Sequence, residues 1–542
     1  MPTARRVGVA ICLQTMNGTP GILAIGLEAA DPALLEKWCA EGQLPNFSRL
    51  IDAGSYRKLL SCTAVSSGAT WPSITTGVSP AKHGMGFYHR QLRTGTYRIV
   101  KKYADEVRSD FFWKHSSAAG RRVAVFDIPV VYPLREFNGV QIIGWGAEGL
   151  NWTQCSAPRH LLPEIHRLFG HYPLEGWYPR EIEDIDESKA LLDKLRVGVR
   201  TRTRIGSWLL HQEPWDLFMA GYPEAHWAGH YLFHLLDESH ARFDPAVARA
   251  CGVAMLGVYR EIDAAIGELT RTRPDSTVLV FSNSGMGVNY SGQHLIPEIL
   301  QRLGMAGGRG NRGSESYSAA NKRWGAYAIK TVESIVSAKN IERARSLVPE
   351  RLWDKYTRII LNLGNGWRNS KAFALPNDFT GAVRINLKGR EPNGVVAPGE
   401  EYDRLCAELT RELLALVNPA SGQRAVSEVI KLRDRYQGPC IDELPDLIVQ
   451  WDRTRPIDSL SSTRIGTVAG IPPDKRSGAH QTYGFLIACG DKIRKTSELA
   501  AADIVDIAPT VLHLQGLAAP GHMDGRVLAD MIAGRIGTAL AS

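Results

Sequence analysis

The chain has no CxxC pair and no tight cysteine framework. Its eight cysteines (Cys12, Cys39, Cys62, Cys155, Cys251, Cys406, Cys440 and Cys489) are scattered over 542 residues. That excludes a small disulfide-stapled scaffold and reads as free thiols in a reducing compartment. No apolar run approaches the length of a membrane span. Near the N-terminus "VGVAICL" follows two arginines, but it is short for a signal segment and no small-residue cleavage site clearly follows. The expected location is therefore cytoplasmic, with no membrane partner. There is no internal repeat and no nucleic-acid-binding motif. The formal net charge is only +8, spread along the chain. Its densest basic group, "RVGVRTRTRIGSW" at 196–208, reads as the solvated face of a helix. A mild basic excess suits small anionic ligands, through long-range steering. With 44% hydrophobic and 22% charged residues, the composition is that of an ordinary globular protein.

What is present is a chain long enough for two or more domains, or for one large α/β core with insertions. The runs "GILAIGL" (21–27), "RRVAVFDIP" (121–129), "WDLFMAGY" (215–222), "STVLVFSNSG" (276–285) and "YGFLIACG" (483–490) are continuously apolar and end in polar or glycine-containing turns. Helical patterns such as "DPALLEKWCAEG" and "DIVDIAPTVLHLQGL" separate them. Apolar strands between helices predict a mostly parallel sheet covered on both faces. Ligands of such sheets bind beyond the carboxyl ends of the strands. There Glu28, Tyr222 to His226 and Ser282 to Gly285 would gather. The Gly-, Ser- and Arg-rich "MAGGRGNRGSESYSAANKR" (305–323) reads as a loop opening an insertion. The expected organisation is a first core part at 1–300, an insertion or cap at 301–380, and a second core part at 381–542.

Two stretches carry chemistry. "GYPEAHWAGHYLFH" (221–234) puts His226 and His230 four residues apart behind a strand, so both imidazoles face one side of a helix and reach one metal ion. Spacing alone is a weak signal, since most such pairs are ordinary packed or surface histidines. His234 faces the same way but lies deeper, where packing is favoured. "SSGATWPSITTGVSPAKHG" (66–84) is dense in hydroxyls. A Ser or Thr at a helix start is usually a cap, and it is also where a phosphate nucleophile would sit. Further on, Arg384, Lys388 and Arg390 in "VRINLKGREPNG" share parity. In one strand they would share a face, either at a substrate mouth or in solvent.

The opening "GILAIGLEAADPALLEKWCAEGQLPNFSRLIDAG" and the TW…TGVSPAKHG run together resemble the type I phosphodiesterase/nucleotide pyrophosphatase branch of the alkaline phosphatase superfamily. The resemblance continues, in family order, through "WDLFMAGYPEAHWAGH", "VLVFSNSGMG", "VRINLKGREPNGVVAPGEEYD", "LPDLIVQWD", "SGAHQTYGFLIACG" and "DIAPTVLHLQGLAAPGHMDGRVL", spanning residues 21 to 528. It implies an αβα sandwich with an inserted cap, two metal ions (usually zinc), and a Ser or Thr that forms a covalent phospho-enzyme. The family position ten residues before the glycine of the TG pair is Ser67, with Ser66 as the register alternative. One metal site maps onto His226, His230 and His480; the first of these is commonly Asp in the family.

The other site departs from the pattern. Glu28 stands for the usual Asp, and Asn283-Ser284-Gly285 stands for Asp-His-Gly. Asn283 offers an uncharged carbonyl oxygen, and a Ser284 hydroxyl is a poor zinc ligand. One zinc ion is implied, and the second site is severely weakened. His294 is nearby in sequence, as a substitute donor or an ordinary surface residue. The expected activity is metal-dependent hydrolysis of a small anionic phosphoester, as a phosphodiesterase acting through phospho-Ser67. A group transferase or other altered reaction, and a catalytically silent metal-containing binding protein, remain open beside it. A sulfatase of the same superfamily is excluded, because "SCTAVSSGAT" holds no C/S-x-P-x-R run.

Overall fold

The computed structural model describes residues 21–306 and 367–533, apart from 88–89, 147–153, 176–181, 183, 252–253, 473–474 and 497–498. The possible signal segment and most of the expected cap (307–366) lie outside the described residues.

The apolar runs form one nine-stranded sheet. Its order is Ala502–Asp503, Ser55–Leu60, Tyr483–Cys489, Thr277–Ser282, Ile22–Leu27, Leu217–Tyr222, Val123–Phe126, Gly139–Ile143, Cys155–Ala157. The four strands from Thr277–Ser282 to Val123–Phe126, and Gly139–Ile143 beyond them, are mutually parallel. Tyr483–Cys489 runs antiparallel to both neighbours, and Cys155–Ala157 closes the far edge antiparallel. Every residue of Ile22–Leu27 is buried, because its alternate side chains feed two separate cores. Leu23, Ile25 and Leu27 pack with the helices Ile185–Gln212 and Ala254–Thr272 on one face. Ile22 and Ala24 pack with Trp71, Ile74, Trp113 and Val511 on the other. Each fully buried side chain of Leu or Ile size contributes about 1.5–3 kcal/mol. The expected αβα architecture with a mostly parallel sheet is what forms.

A second, antiparallel sheet has the order Ala372–Leu375, Gly381–Ile385, Leu447–Trp451, Val426–Lys431. The helix Glu400–Leu414 packs on it through Leu405, Leu409 and Leu413. The expected boundary at 380/381 therefore cuts a hairpin. Ala372–Leu375, assigned to the insertion, pairs directly with Gly381–Ile385, and the chain re-enters the central sheet only at Tyr483.

The basic run 196–208 is helical, but not all of it faces solvent. Arg200 and Arg204 are exposed, while Arg202 is fully buried. Its guanidinium pairs with Asp127 (2.7 Å) and Glu224 (3.3 Å), and the rings of Phe126, Trp145, Tyr172 and Tyr222 lie within 5.6 Å. A buried cation needs such partners, and the partners come from elements distant in sequence.

Candidate active site

The strands of the central sheet deliver their ends to one place. Ile22–Leu27 runs into Glu28, Leu217–Tyr222 into the helix Glu224–Leu232, and Thr277–Ser282 into Asn283 and Ser284. Just beyond, Gly285–Val288 pairs with Gly478–Gln481, setting Met286 opposite His480. A Cβ on Gly478 would stand 2.1 Å from the Gly229 carbonyl oxygen. Only glycine lets this strand cross the histidine helix so closely. Glu28, Ser67, Trp71, His226, His230, Asp378, Phe379, Arg476 and His480 line a cavity of about 120 Å³.

The imidazoles of His226, His230 and His480 converge there, with ligand atoms within 4.8 Å of one another. All three side chains are buried. His230 Nδ1 donates to the Gly478 carbonyl (2.8 Å), which leaves Nε2 as the lone-pair nitrogen. His480 Nδ1 lies 2.9 Å from Ser284 Oγ. Burial first, then neighbouring positive charge including Arg476, pushes His226 and His230 well below their ordinary value and His480 down to about 3. At neutral pH all three are uncharged, the state that ligates a metal. A carbonyl and a hydroxyl behind two of the rings provide the outer hydrogen bonds typical of metal-binding histidines. This donor set fits a zinc ion. Among the described residues it is the one cluster of three or more metal-ligating side chains. The Arg476 guanidinium is 3.4 Å from His230 Nε2, so it shares the space that an ion or an anionic ligand would enter.

Ser67 opens the turn Ser67–Ala69 that leads into the buried helix Thr70–Thr76. Trp71 on that helix seals it to the sheet: a Cβ on Gly26 would meet the indole at 2.6 Å. Asp378, which sequence reasoning missed, meets Ser67 from the tip of the second sheet's hairpin. One carboxylate oxygen accepts from Ser67 N (2.8 Å), from Ser67 Oγ, and from Ser66 Oγ (3.4 Å). Asn377 Nδ2 donates to the Val65 carbonyl (3.0 Å) and Thr380 Oγ1 to that of Ala64 (3.2 Å), pinning the tip to the serine loop. Ser66 is fully buried and does not line the cavity.

Downstream, His83 fastens the same helix. Its Nδ1 accepts from Met85 N (3.1 Å), and its Nε2 lies 3.0 Å from Ser73 Oγ. Burial, aided by Lys102, lowers it from 6.5 to about 3. A histidine kept neutral in the fold but protonated when unfolded stabilises the protein above pH 6.5. That contribution is lost as pH falls from 6.5 towards 3. Accordingly, the urea midpoint should fall on acidification across this window, and His83→Gln should flatten the slope. An equally steep slope in the variant would contradict this assignment.

The remaining expected site residues have other partners. Asn283 Oδ1 accepts from Ala29 N (2.9 Å) and its Nδ2 donates to Thr70 Oγ1 (2.9 Å). These bonds brace the loop after the first strand against the serine helix. Arg384 and Arg390 do not reach the cavity. The strand ends at Ile385, so the shared parity of 384, 388 and 390 no longer means a shared face. Arg384 is held by Glu391 (2.7 Å) and Arg390 by Asp446 (2.6 Å), both buried inside the second sheet's turn, while Lys388 is exposed. His294 Nε2 is 3.1 Å from the Gly470 carbonyl oxygen, away from the cavity. His234 packs beside His240, with ring centroids 6.0 Å apart.

The family model for "Type I phosphodiesterase / nucleotide pyrophosphatase" matches residues 22–454. No curated protein matches the chain. Among solved structures, phosphonoacetate hydrolase from Sinorhizobium meliloti 1021, in complex with phosphonoacetate, is 13% identical. The alignment covers 92% of this chain and 96% of that one, with a TM-score of 0.50. Human ectonucleotide pyrophosphatase/phosphodiesterase 5 is 12% identical, covering 95% and 100%, with a TM-score of 0.46. At such identities the likeness concerns the fold alone. No helix among the described residues is long and apolar enough to cross a membrane.

Proposed function

The chain belongs to the type I phosphodiesterase/nucleotide pyrophosphatase family, and from that premise we propose that it hydrolyses a small anionic phosphoester, with Ser67 as nucleophile and His226, His230 and His480 holding one zinc ion. The observation that carries the reading is the convergence of three neutral, buried imidazoles on the cavity that also presents Ser67. When bound, such an ion supplies Lewis-acid stabilisation of charge developing on a phosphoryl oxygen. A second ion has weaker donors, since Asn283 and Ser284 are uncharged and already bond Ala29, Thr70 and His480.

The chain's own groups do the rest. Ser67 attacks phosphorus and carries the phosphoryl group as a covalent ester. Arg476 supplies a guanidinium for the non-bridging oxygens. Trp71, Phe87 and Phe379 wall the cavity and keep bulk water from the reacting centre. A volume of about 120 Å³ is far below the roughly 300–1,000 Å³ of drug-sized pockets. It holds a phosphoryl or phosphonyl group, with the leaving group towards the mouth. The seven described cysteines are unpaired, which supports a reducing, cytoplasmic setting.

Loss of the second-site donors also favours one other reading, a metal-containing binding protein without turnover. Bis(4-nitrophenyl) phosphate and 4-nitrophenyl phosphate, offered to zinc-loaded protein, separate the two. Release of nitrophenol from the diester in preference to the monoester is expected. Bound zinc with no release from either ester would favour the silent protein.

A further inference from the structure

We propose that Asp378 is the general base for Ser67, a catalytic carboxylate delivered to the serine by the hairpin of the second sheet. This rests on the reading of Ser67 as nucleophile. The geometry is specific. The Asp378 oxygen that accepts from Ser67 Oγ also accepts from Ser67 N at 2.8 Å, so the serine is held at two points and its hydroxyl proton is aimed at the carboxylate. The other oxygen accepts from Phe379 N at 3.0 Å. The hairpin tip is clamped by Asn377 and Thr380 to the carbonyls of Val65 and Ala64, and Gln293 Nε2 donates to the Asp378 carbonyl at 2.8 Å. Asp378 is 8% exposed and lines the cavity. The charged and titratable groups around it are Arg453, which donates to the Phe379 and His480 carbonyls, together with Arg476, Glu28 and the three histidines.

Asn377 and Thr380 tie the turn to the serine loop independently of Asp378, and Asp378 adds a carboxylate placed on the serine hydroxyl itself. A carboxylate on the hydroxyl of a nucleophile is the arrangement that activates it. As the Oγ–P bond forms, the Oγ proton passes to Asp378. The bond from phosphorus to the leaving oxygen breaks with its electron pair, and that oxygen takes a proton from solvent. In the second half, water attacks phosphorus and loses a proton to solvent. The P–Oγ bond breaks, and Asp378 returns its proton to Oγ.

The test is the rate at which a fluorophosphonate labels Ser67 in the full chain, read by peptide mass spectrometry between pH 4 and 9. Here Oγ attacks phosphorus, fluoride leaves, and the proton goes to Asp378. Wild type should label at Ser67 with a rate that rises through an acid limb. Asp378→Asn should label roughly 100-fold more slowly, the general-base range, and lose that limb. Asp378→Glu, a carboxylate one methylene longer, should keep the limb at a reduced rate. Thermal melts and zinc content of the variants report on folding. If Asp378→Asn labels within about threefold of wild type with its acid limb intact, Asp378 is only a brace and the proposal is overturned. A misfolded Asp378→Asn leaves the decision to Asp378→Ala, which also lacks a carboxylate, and a rate within about threefold of wild type with the acid limb intact overturns the proposal equally. If wild type is not labelled at Ser67 at all, the nucleophile reading fails first, and this inference falls with it.

Discussion

Ser67→Ala is expected to lower diester hydrolysis by at least about 1,000-fold, the scale on which loss of a covalent nucleophile acts. Its zinc content and melting temperature should stay at wild-type values. Ser67 enters no ion pair and no core cluster, and its hydrogen bonds to Asp378 are local to the cavity. Ser66 offers no rescue. It is fully buried and its Oγ is 3.4 Å from Asp378, so reaching a phosphorus atom would require the turn to unwind. Initial rates on bis(4-nitrophenyl) phosphate decide the matter. A variant that keeps a tenth of the activity would mean that another group, or activated water, performs the attack.

His226→Ala should have the second-largest effect, on metal retention and turnover together. Three imidazoles with a fourth position open form a complete zinc site of the catalytic type; two do not. Removing even an outer-shell partner of such a site costs about 10–100-fold in affinity, and removing a ligand should exceed that. The family resemblance read from the sequence also implies an aspartate as the common residue at this position. His226→Asp should therefore retain zinc better than His226→Ala, whereas a purely structural histidine would gain nothing from a buried carboxylate. Equilibrium competition against a zinc chelator, on folded protein, orders the three.

What was legible in the sequence follows from how far each signal reaches along the chain. The central strands declared themselves because burial on both faces makes the whole run apolar, as in Ile22–Leu27 and Thr277–Ser282. His226 and His230 share a helix face, so their spacing alone suggested a pair. His480 is 250 residues further along than His230, and only the family resemblance joined it to them. The structure shows why they meet: a two-stranded pairing of Gly285–Val288 with Gly478–Gln481. Asp378 gave no signal. It sits 311 residues from Ser67, in a turn that composition had assigned to the insertion, and periodicity carries no information about such an encounter. Arg384, Lys388 and Arg390 misled because parity holds only while a strand lasts. Arg202 misled for the opposite reason, since a helix face that looks solvated can hold one cation whose carboxylate partners come from elsewhere.

The proposed reaction depends on one zinc ion per chain, held by three histidines beside Ser67. Elemental mass spectrometry of protein purified without chelator tests it most directly. Wild type should carry about one zinc per chain, and His226→Ala close to none. Two ions per chain, or none after zinc has been supplied, would contradict it.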